Sequence, residues 1–183
     1  MTCIIGYLKD SVVHIAADSQ ITCGTRIDAS DYEKILINGD IVGAFSGNLH
    51  CVNALESEFK KIQSDKVTSL KNDLHDNFLK PVRDLIKRRE IPDSYINFRA
   101  LIAKKNELIE TDNHYAILDI NEKFSIGSGA YYALGSLEAL DRVSTLSLEQ
   151  KLKTSILVAN NYDTGTNDNI KYCNTKDLKI IKL

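Results

Sequence analysis

Thr2, Asp18 and Lys34 follow one another at two equal intervals of sixteen residues. Their types suit acyl transfer. A threonine that becomes the first residue once Met1 is removed carries a hydroxyl nucleophile and an α-amine together. Such an amine has an ordinary pKa of about 7.7–8.0, against about 10.4 for a lysine, so it serves as a base near neutrality. The chemistry also needs a cation to depress the local pKa, a carboxylate to orient that cation, and backbone N–H groups for an oxyanion. Lys34, Asp18 and Gly47 are the candidates. Each has a plain reading when taken singly. Asp18 suits a turn after a strand, Lys34 a solvated strand end and Gly47 a turn. Ser128, between two glycines, suits a helix N-cap. Only the joint spacing from Thr2 favours chemistry.

Conventional catalytic motifs are missing. Gly127-Ser128-Gly129 is not a nucleophile elbow, because glycine is required two residues before the serine and Ile126 stands there. There is no G-x-x-x-x-G-K-[ST] loop, so the chain does not carry a P-loop for ATP. His14, His50, His75 and His114 show no HExxH or i,i+4 pairing, and Cys3, Cys23, Cys51 and Cys173 no CxxC pair. No metal and no cofactor is expected; the cysteines read as reduced, buried thiols.

Short β-rich runs open the chain, at Cys3–Leu8 and Val12–Ala17, followed by Lys34–Ile37 and Asp40–Phe45 around Asn38-Gly39, a strong hairpin signal. The period then becomes helical. Leu49, Val52, Leu55, Phe59 and Ile62 define one amphipathic face, and Val67, Leu70, Leu74, Phe78, Val82 and Leu85 a second. Pro81 falls inside the second and should kink or restart it. Strands are expected at 97–104 and 114–120 with a polar hairpin region between them, then at Phe124–Ile126. Two helices follow, at about 130–142 and 146–161, with Ser147 and Gln150 resembling a capping box. The tail returns to β at 170–173 and 178–183. Blocks of strands followed by blocks of helices predict layered α+β packing rather than an alternating parallel sheet. No repeat or linker interrupts residues 1–183, which read as a single domain.

At 183 residues, 43% hydrophobic and 26% charged, the chain has the composition of an ordinary globular protein. A net charge of −2 gives no electrostatic reason to expect nucleic acid or an anionic membrane as partner. No apolar run approaches the ~20 residues that span a bilayer. No basic segment leads an apolar stretch at the N-terminus, so a cytoplasmic location is expected.

The segments Thr2, Ala16-Ala17-Asp18-Ser19-Gln20-Ile21-Thr22-Cys23-Gly24, Lys34 and Gly43-Ala44-Phe45-Ser46-Gly47 resemble the proteasome β-type subunits, and especially the bacterial heat-shock-locus V peptidases. Phe124–Ala133 resembles that family's strand–turn–helix carrying a site serine. The resemblance implies an N-terminal-nucleophile hydrolase fold, a four-layer αββα sandwich of antiparallel sheets. It implies that Thr2 attacks the scissile carbonyl, that Lys34, salt-bridged to Asp18, lowers its pKa, that the Gly47 N–H faces the oxyanion and that Ser128 bonds near the amine. Thr22 and Phe45 would line the pocket for the residue before the cleaved bond, with Phe45 making it shallow and apolar. A supporting carboxylate and serine of the family would fall at Asn161 and Thr164. The implied function is a threonine-type endopeptidase in a homo-oligomeric ring, cutting unfolded polypeptide or peptide delivered by a separate ring ATPase unfoldase. Two rivals remain: a catalytically silent scaffold subunit that keeps Met1, and an N-terminal-nucleophile amidase or transpeptidase on a defined substrate.

Overall fold

The computed structural model describes residues 2–24 and 26–183, so Met1, whose removal the chemistry requires, lies outside the described residues. The first hairpin pairs β1 (Ile4–Lys9) with β2 (Val12–Asp18). Its two turn residues, Asp10 and Ser11, both have positive φ (49° and 61°), the turn geometry that matches strand twist. A short hairpin of β3 (Ile21–Cys23) and β4 (Arg26–Ala29) follows, then β5 (Ile35–Asn38) and β6 (Ile41–Gly47), which turn at Gly39-Asp40, one residue later than the expected Asn38-Gly39, because Asn38 pairs with Ile41 as part of the ladder.

After α1 (Leu49–Phe59) comes one long helical stretch in three parts: α2 (Leu70–Leu74), a π-turn (His75–Leu79) and α3 (Lys80–Arg88). The irregularity expected at Pro81 takes the form of that π-turn, in which the Lys80 N–H bonds to the His75 carbonyl just before the proline, which has no N–H to give. The helical pattern read from Val67 begins only at Leu70, because residues 64–66 form a 3-10 turn.

β7 (Phe98–Lys104), β8 (Glu107–Asp112), β9 (Ile117–Asp119) and β10 (Lys123–Ile126) come next. Here the sequence expectation needs correction. The supposed polar hairpin region is mostly β8, and the strand expected over 114–120 shrinks to β9. Glu107, Glu110 and Asp112 disguise β8 as a loop; Leu108 and Ile109 are buried, and Arg99 Nε donates to Glu110 at 2.7 Å. The chain ends with α4 (Ala130–Val143), α5 (Leu148–Tyr162), β11 (Ile170–Asn174) and β12 (Ile181–Lys182), the last much shorter than expected. Both bonds of the Ser147–Gln150 capping box are present at the start of α5.

Two five-stranded antiparallel sheets result, ordered β10-β1-β2-β11-β12 and β5-β6-β7-β8-β9. The period-2 alternation of strand side chains builds the layers. Ile4 points between the sheets, with Val13, Val42, Leu101 and Leu108, whereas Ile5 points outward onto Leu137, Leu152 and Ile156 of α4 and α5. On the other sheet, Phe45 and Ile102 point outward to meet Leu55, Phe59, Phe78 and Val82 of the first helices. The layers run α, β, β, α, and the fold is the αββα sandwich. Among the described residues, no helix is long and apolar enough to cross a membrane.

Candidate active site

β1 runs between β10 and β2, so register decides what surrounds the residues ahead of it. Ile4 pairs with Ile126 on one side and Ala17 on the other. Going backward along β1 therefore leads to Thr2 with the Gly127-Ser128-Gly129 turn on one flank and Asp18 on the other. The close approach to the turn depends on Gly127: its φ is 96°, and a Cβ there would lie 2.1 Å from the Thr2 carbonyl oxygen. The Gly129 N–H bonds to that same oxygen at 3.1 Å.

Lys34, just ahead of β5, reaches across from the second sheet. Its Nζ donates to Thr2 Oγ1 at 2.6 Å and to Asp18 Oδ1 at 2.8 Å. The lysine and aspartate side chains are 3% and 0% exposed, so solvent hardly screens this pair. Asp18 is further fixed by the Cys3 N–H on Oδ1 at 2.7 Å and the Gln20 N–H on Oδ2 at 2.9 Å. Burial pulls the Lys34 ammonium below the ordinary lysine range, and the Asp18 charge works against that pull. Burial pushes the neighbouring Cys3 thiol far up, so it stays protonated and unreactive.

The Thr2 nitrogen donates to Ser128 Oγ at 3.1 Å, and Ser128 Oγ donates in turn to Asp163 Oδ2 at 2.8 Å. Thr166 Oγ1 donates to the same carboxylate oxygen at 2.7 Å. This corrects the placement of the supporting pair at Asn161 and Thr164, both of which are exposed. The carboxylate is Asp163 and the hydroxyl Thr166, each two residues further on. The physical reason is the end of α5. Asp163 is its C-terminal cap and opens a turn in which its Oδ1 accepts from the Gly165 N–H and its carbonyl from the Thr166 N–H, turning both groups inward. Asp-x-Gly-Thr after a helix was the signal available in the sequence. The turn is tied to the segment after β2, because Gln20 Nε2 donates to the Thr164 carbonyl and Ser19 Oγ to that of Asn169, each at 2.7 Å.

Gly47, at the end of β6, lies beside Thr2 where two cavities meet. With φ at 134° and space for a Cβ blocked by the Asn97 carbonyl, 2.2 Å away, only glycine fits there. The first cavity, about 320 Å³, is floored by Phe45 and walled by Ile21, Thr22, Leu49 and Val52, with Cys23 and Asp28 toward solvent. Phe45 rests edge-on against Phe59 with ring centroids 5.5 Å apart, which fixes the floor. Thr22 Oγ1 is buried without a hydrogen-bond partner among the described residues. The expectation that all cysteines are buried fails at Cys23, which is exposed. The second cavity, about 650 Å³, lies on the Ser128 side. The described residues hold no group of three or more His, Cys, Asp or Glu that could bind a metal ion.

Of the residues singled out from sequence, Thr2, Asp18, Lys34 and Ser128 form one hydrogen-bonded group, and Gly47, Thr22 and Phe45 line the cavities that open from it. Known proteins resemble the chain over most of its length. A model described as "Proteasome subunit" matches residues 2–174. The ATP-dependent protease subunit HslV of Campylobacter lari is 32% identical over 181 residues, covering 93% of each chain. That of Nitratiruptor sp. is 27% identical over 172 residues, covering 93% of this chain and 94% of the relative. The eukaryotic HslV structure from Trypanosoma brucei superimposes with a TM-score of 0.71 at 21% identity, covering 94% of this chain and 98% of the other.

Proposed function

The chain belongs to the proteasome subunit family, and from that premise we propose that it is a threonine-type endopeptidase subunit, active once Met1 is removed. The observation that carries this reading is the buried lysine whose ammonium is shared between the Thr2 hydroxyl and the Asp18 carboxylate. A structural lysine needs no hydroxyl partner at the end of a chain-leading strand. This one places positive charge 2.6 Å from the oxygen that would become anionic.

The geometry supports the following steps. Thr2 Oγ attacks the scissile carbonyl carbon and passes its proton to the Thr2 α-amine. Ser128 gives its own hydrogen to Asp163, so it can only accept from the amine N–H. With Met1 attached that nitrogen is an amide; removal of Met1 would give it the lone pair that takes the proton. The Gly47 N–H stabilises the carbonyl oxygen as it becomes negative. When the C–N bond breaks, the ammonium returns its proton to the leaving amine and an ester remains on Thr2. Water, deprotonated by the same amine, then attacks the ester; as the acyl C–O bond breaks, the ammonium returns the proton to Thr2 Oγ and the acid is released.

Cavities on both sides of Thr2 suit a substrate chain running through the site better than a small amide. The Phe45 floor favours an apolar residue of modest size before the bond. The relatives are named as subunits of ATP-dependent proteases, and this sequence has no P-loop, so we assign ATP hydrolysis to a separate ring ATPase unfoldase. A homo-oligomeric ring in the cytoplasm, admitting only unfolded polypeptide, would keep the site from folded proteins.

Intact mass and peptide hydrolysis measured on one preparation test the proposal. A chain beginning at Thr2 should cleave apolar peptides, and one retaining Met1 should not. A processed chain without activity would instead favour the silent scaffold, a reading weakened by the presence of Asp163 in place of the expected asparagine. A neighbouring structure, from Thiobacillus denitrificans at a TM-score of 0.73, is described in complex with epoxomicin, which recommends that compound as a probe.

A further inference from the structure

The second cavity differs from the first in charge. Among the described residues, Arg99 is the one charged group lining it, beside Asn48, Asn97, Phe124, Ser125 and Ser128. Arg99 leaves β7 opposite Ser46 of β6, on the face turned toward the other sheet. Two positions further along the strand, on the same face, Leu101 is buried between the sheets, so Arg99 stands where the inter-sheet layer opens to solvent. Its guanidinium is held from two sides. Nε donates to the buried Glu110 at 2.7 Å, and the group lies over the Phe124 ring at 5.3 Å. A guanidinium has five N–H donors, so this bond leaves terminal N–H groups free on a side chain that is 42% exposed.

The chemistry of the proposed reaction says which part of a substrate meets this cavity. The leaving amine must receive its proton from the Thr2 α-amine, so it departs on the α-amine's side. Thr2 N bonds to Ser128, which lines only the second cavity, while Lys34, bonded to Thr2 Oγ1, lines only the first. The acyl portion therefore lies in the first cavity and the leaving portion in the second. We propose that Arg99 is a specificity-determining residue for the leaving side, selecting substrates with an acidic side chain directly after the cleaved bond. This inference rests on the peptidase reading for its direction. The fork of guanidinium N–H groups matches a carboxylate, whereas a lysine at that position meets like charge.

Internally quenched peptides that differ only in Glu or Lys after the bond measure the effect. With the Met1-free chain, kcat/KM should favour Glu by roughly fivefold, in the upper range for a partly exposed ion pair. The preference should shrink as salt is raised. Arg99→Gln should bring the Glu:Lys ratio near one, and Arg99→Lys should keep most of it. Because Glu110 loses its partner in Arg99→Gln, thermal unfolding is checked, and Arg99→Lys serves as the folded control. A second measurement needs no turnover: amides of Glu-Ala-Ala and Lys-Ala-Ala, standing for leaving products, are titrated into Thr2→Ala protein. Tighter binding of the Glu peptide, lost in Arg99→Gln, supports the inference even for an inert chain. Equal binding, or an unchanged cleavage ratio in Arg99→Gln, overturns it. Failure to cleave any peptide, with selective binding intact, overturns the peptidase reading alone.

Discussion

Replacing Lys34 with methionine would leave Asp18 charged, fully buried and without its cation. Removing one partner of a buried pair costs about 3–5 kcal/mol. Asp18 keeps the Cys3 and Gln20 N–H groups, at 2.7 and 2.9 Å, so the lower end, about 3 kcal/mol, applies. Asp18→Asn acts differently, because a buried lysine can discard its proton whereas the aspartate would have to gain one. Burial already holds Lys34 below the ordinary lysine range, and losing Asp18 removes the charge that opposes this, so the cost at neutral pH is about 2 kcal/mol. Between the lowered folded pKa and the unfolded value of about 10.4, the unfolded lysine holds more protons than the folded one. Stability therefore rises with pH across that window, and more steeply in Asp18→Asn. The double variant Lys34→Met/Asp18→Asn buries no charge at this point and should be about 2 kcal/mol more stable than the sum of the single losses. Urea unfolding followed by circular dichroism, at one protein concentration and at pH 7, 8 and 9, measures all three. Additive losses to within about 0.5 kcal/mol, or an Asp18→Asn protein that weakens from pH 7 to 9, would refute the reasoning.

Thr2→Ala should abolish peptide hydrolysis while leaving circular dichroism and assembly size unchanged; residual turnover in the purified variant would remove Thr2 as nucleophile. In the Met1-free chain, kcat/KM should rise with pH through the range of an ordinary α-amine, about 7.7–8.0, as the base loses its proton; a flat profile over pH 6–9 would count against the amine. Asp163→Ala should lower kcat by about tenfold or more, because Ser128 loses its acceptor and is then free to donate to the amine lone pair; an unchanged kcat would show that the Ser128–Asp163 bond has no part in the reaction. Phe45→Ala should deepen the first cavity and shift preference toward larger apolar residues before the bond, at a stability cost of about 3–5 kcal/mol; unchanged selectivity among Ala, Leu and Phe substrates would place that residue elsewhere.

Much of the site is legible in the sequence because three of its members lie close to the elements that carry them. Asp18 ends β2, Lys34 precedes β5 and Gly47 ends β6, so equal spacing and strand pattern are enough to locate them. Asp163 is legible only through its Asp-x-Gly-Thr turn, because a helix boundary carries an uncertainty of one or two residues and that uncertainty decides which side chain turns inward. The layer order follows from blocks of strands and helices, yet β8 is hidden by its three charges, Glu107, Glu110 and Asp112. Glu110 is buried there, and only the approach of Arg99 from the neighbouring strand makes that tolerable, a long-range fact no local window contains. Arg99 itself gives no local signal, since its place beside Thr2 depends on how the two sheets stack.

The bond from Thr2 to Ser128 spans 126 positions of sequence, and Asp163 behind it lies further still. A ribosome makes Thr2 early and the groups bonded around its nitrogen much later. For most of synthesis, then, the emerging chain carries Thr2 without Ser128 or Asp163, and β1 and β2 lack β10 and β11 to complete their sheet. Contacts of such long range form late and slowly. The group assembles only when nearly all of the chain is present, so a truncated or half-made copy lacks it. The arrangement makes the joined hydrogen-bonded group a check on completeness, made by topology alone.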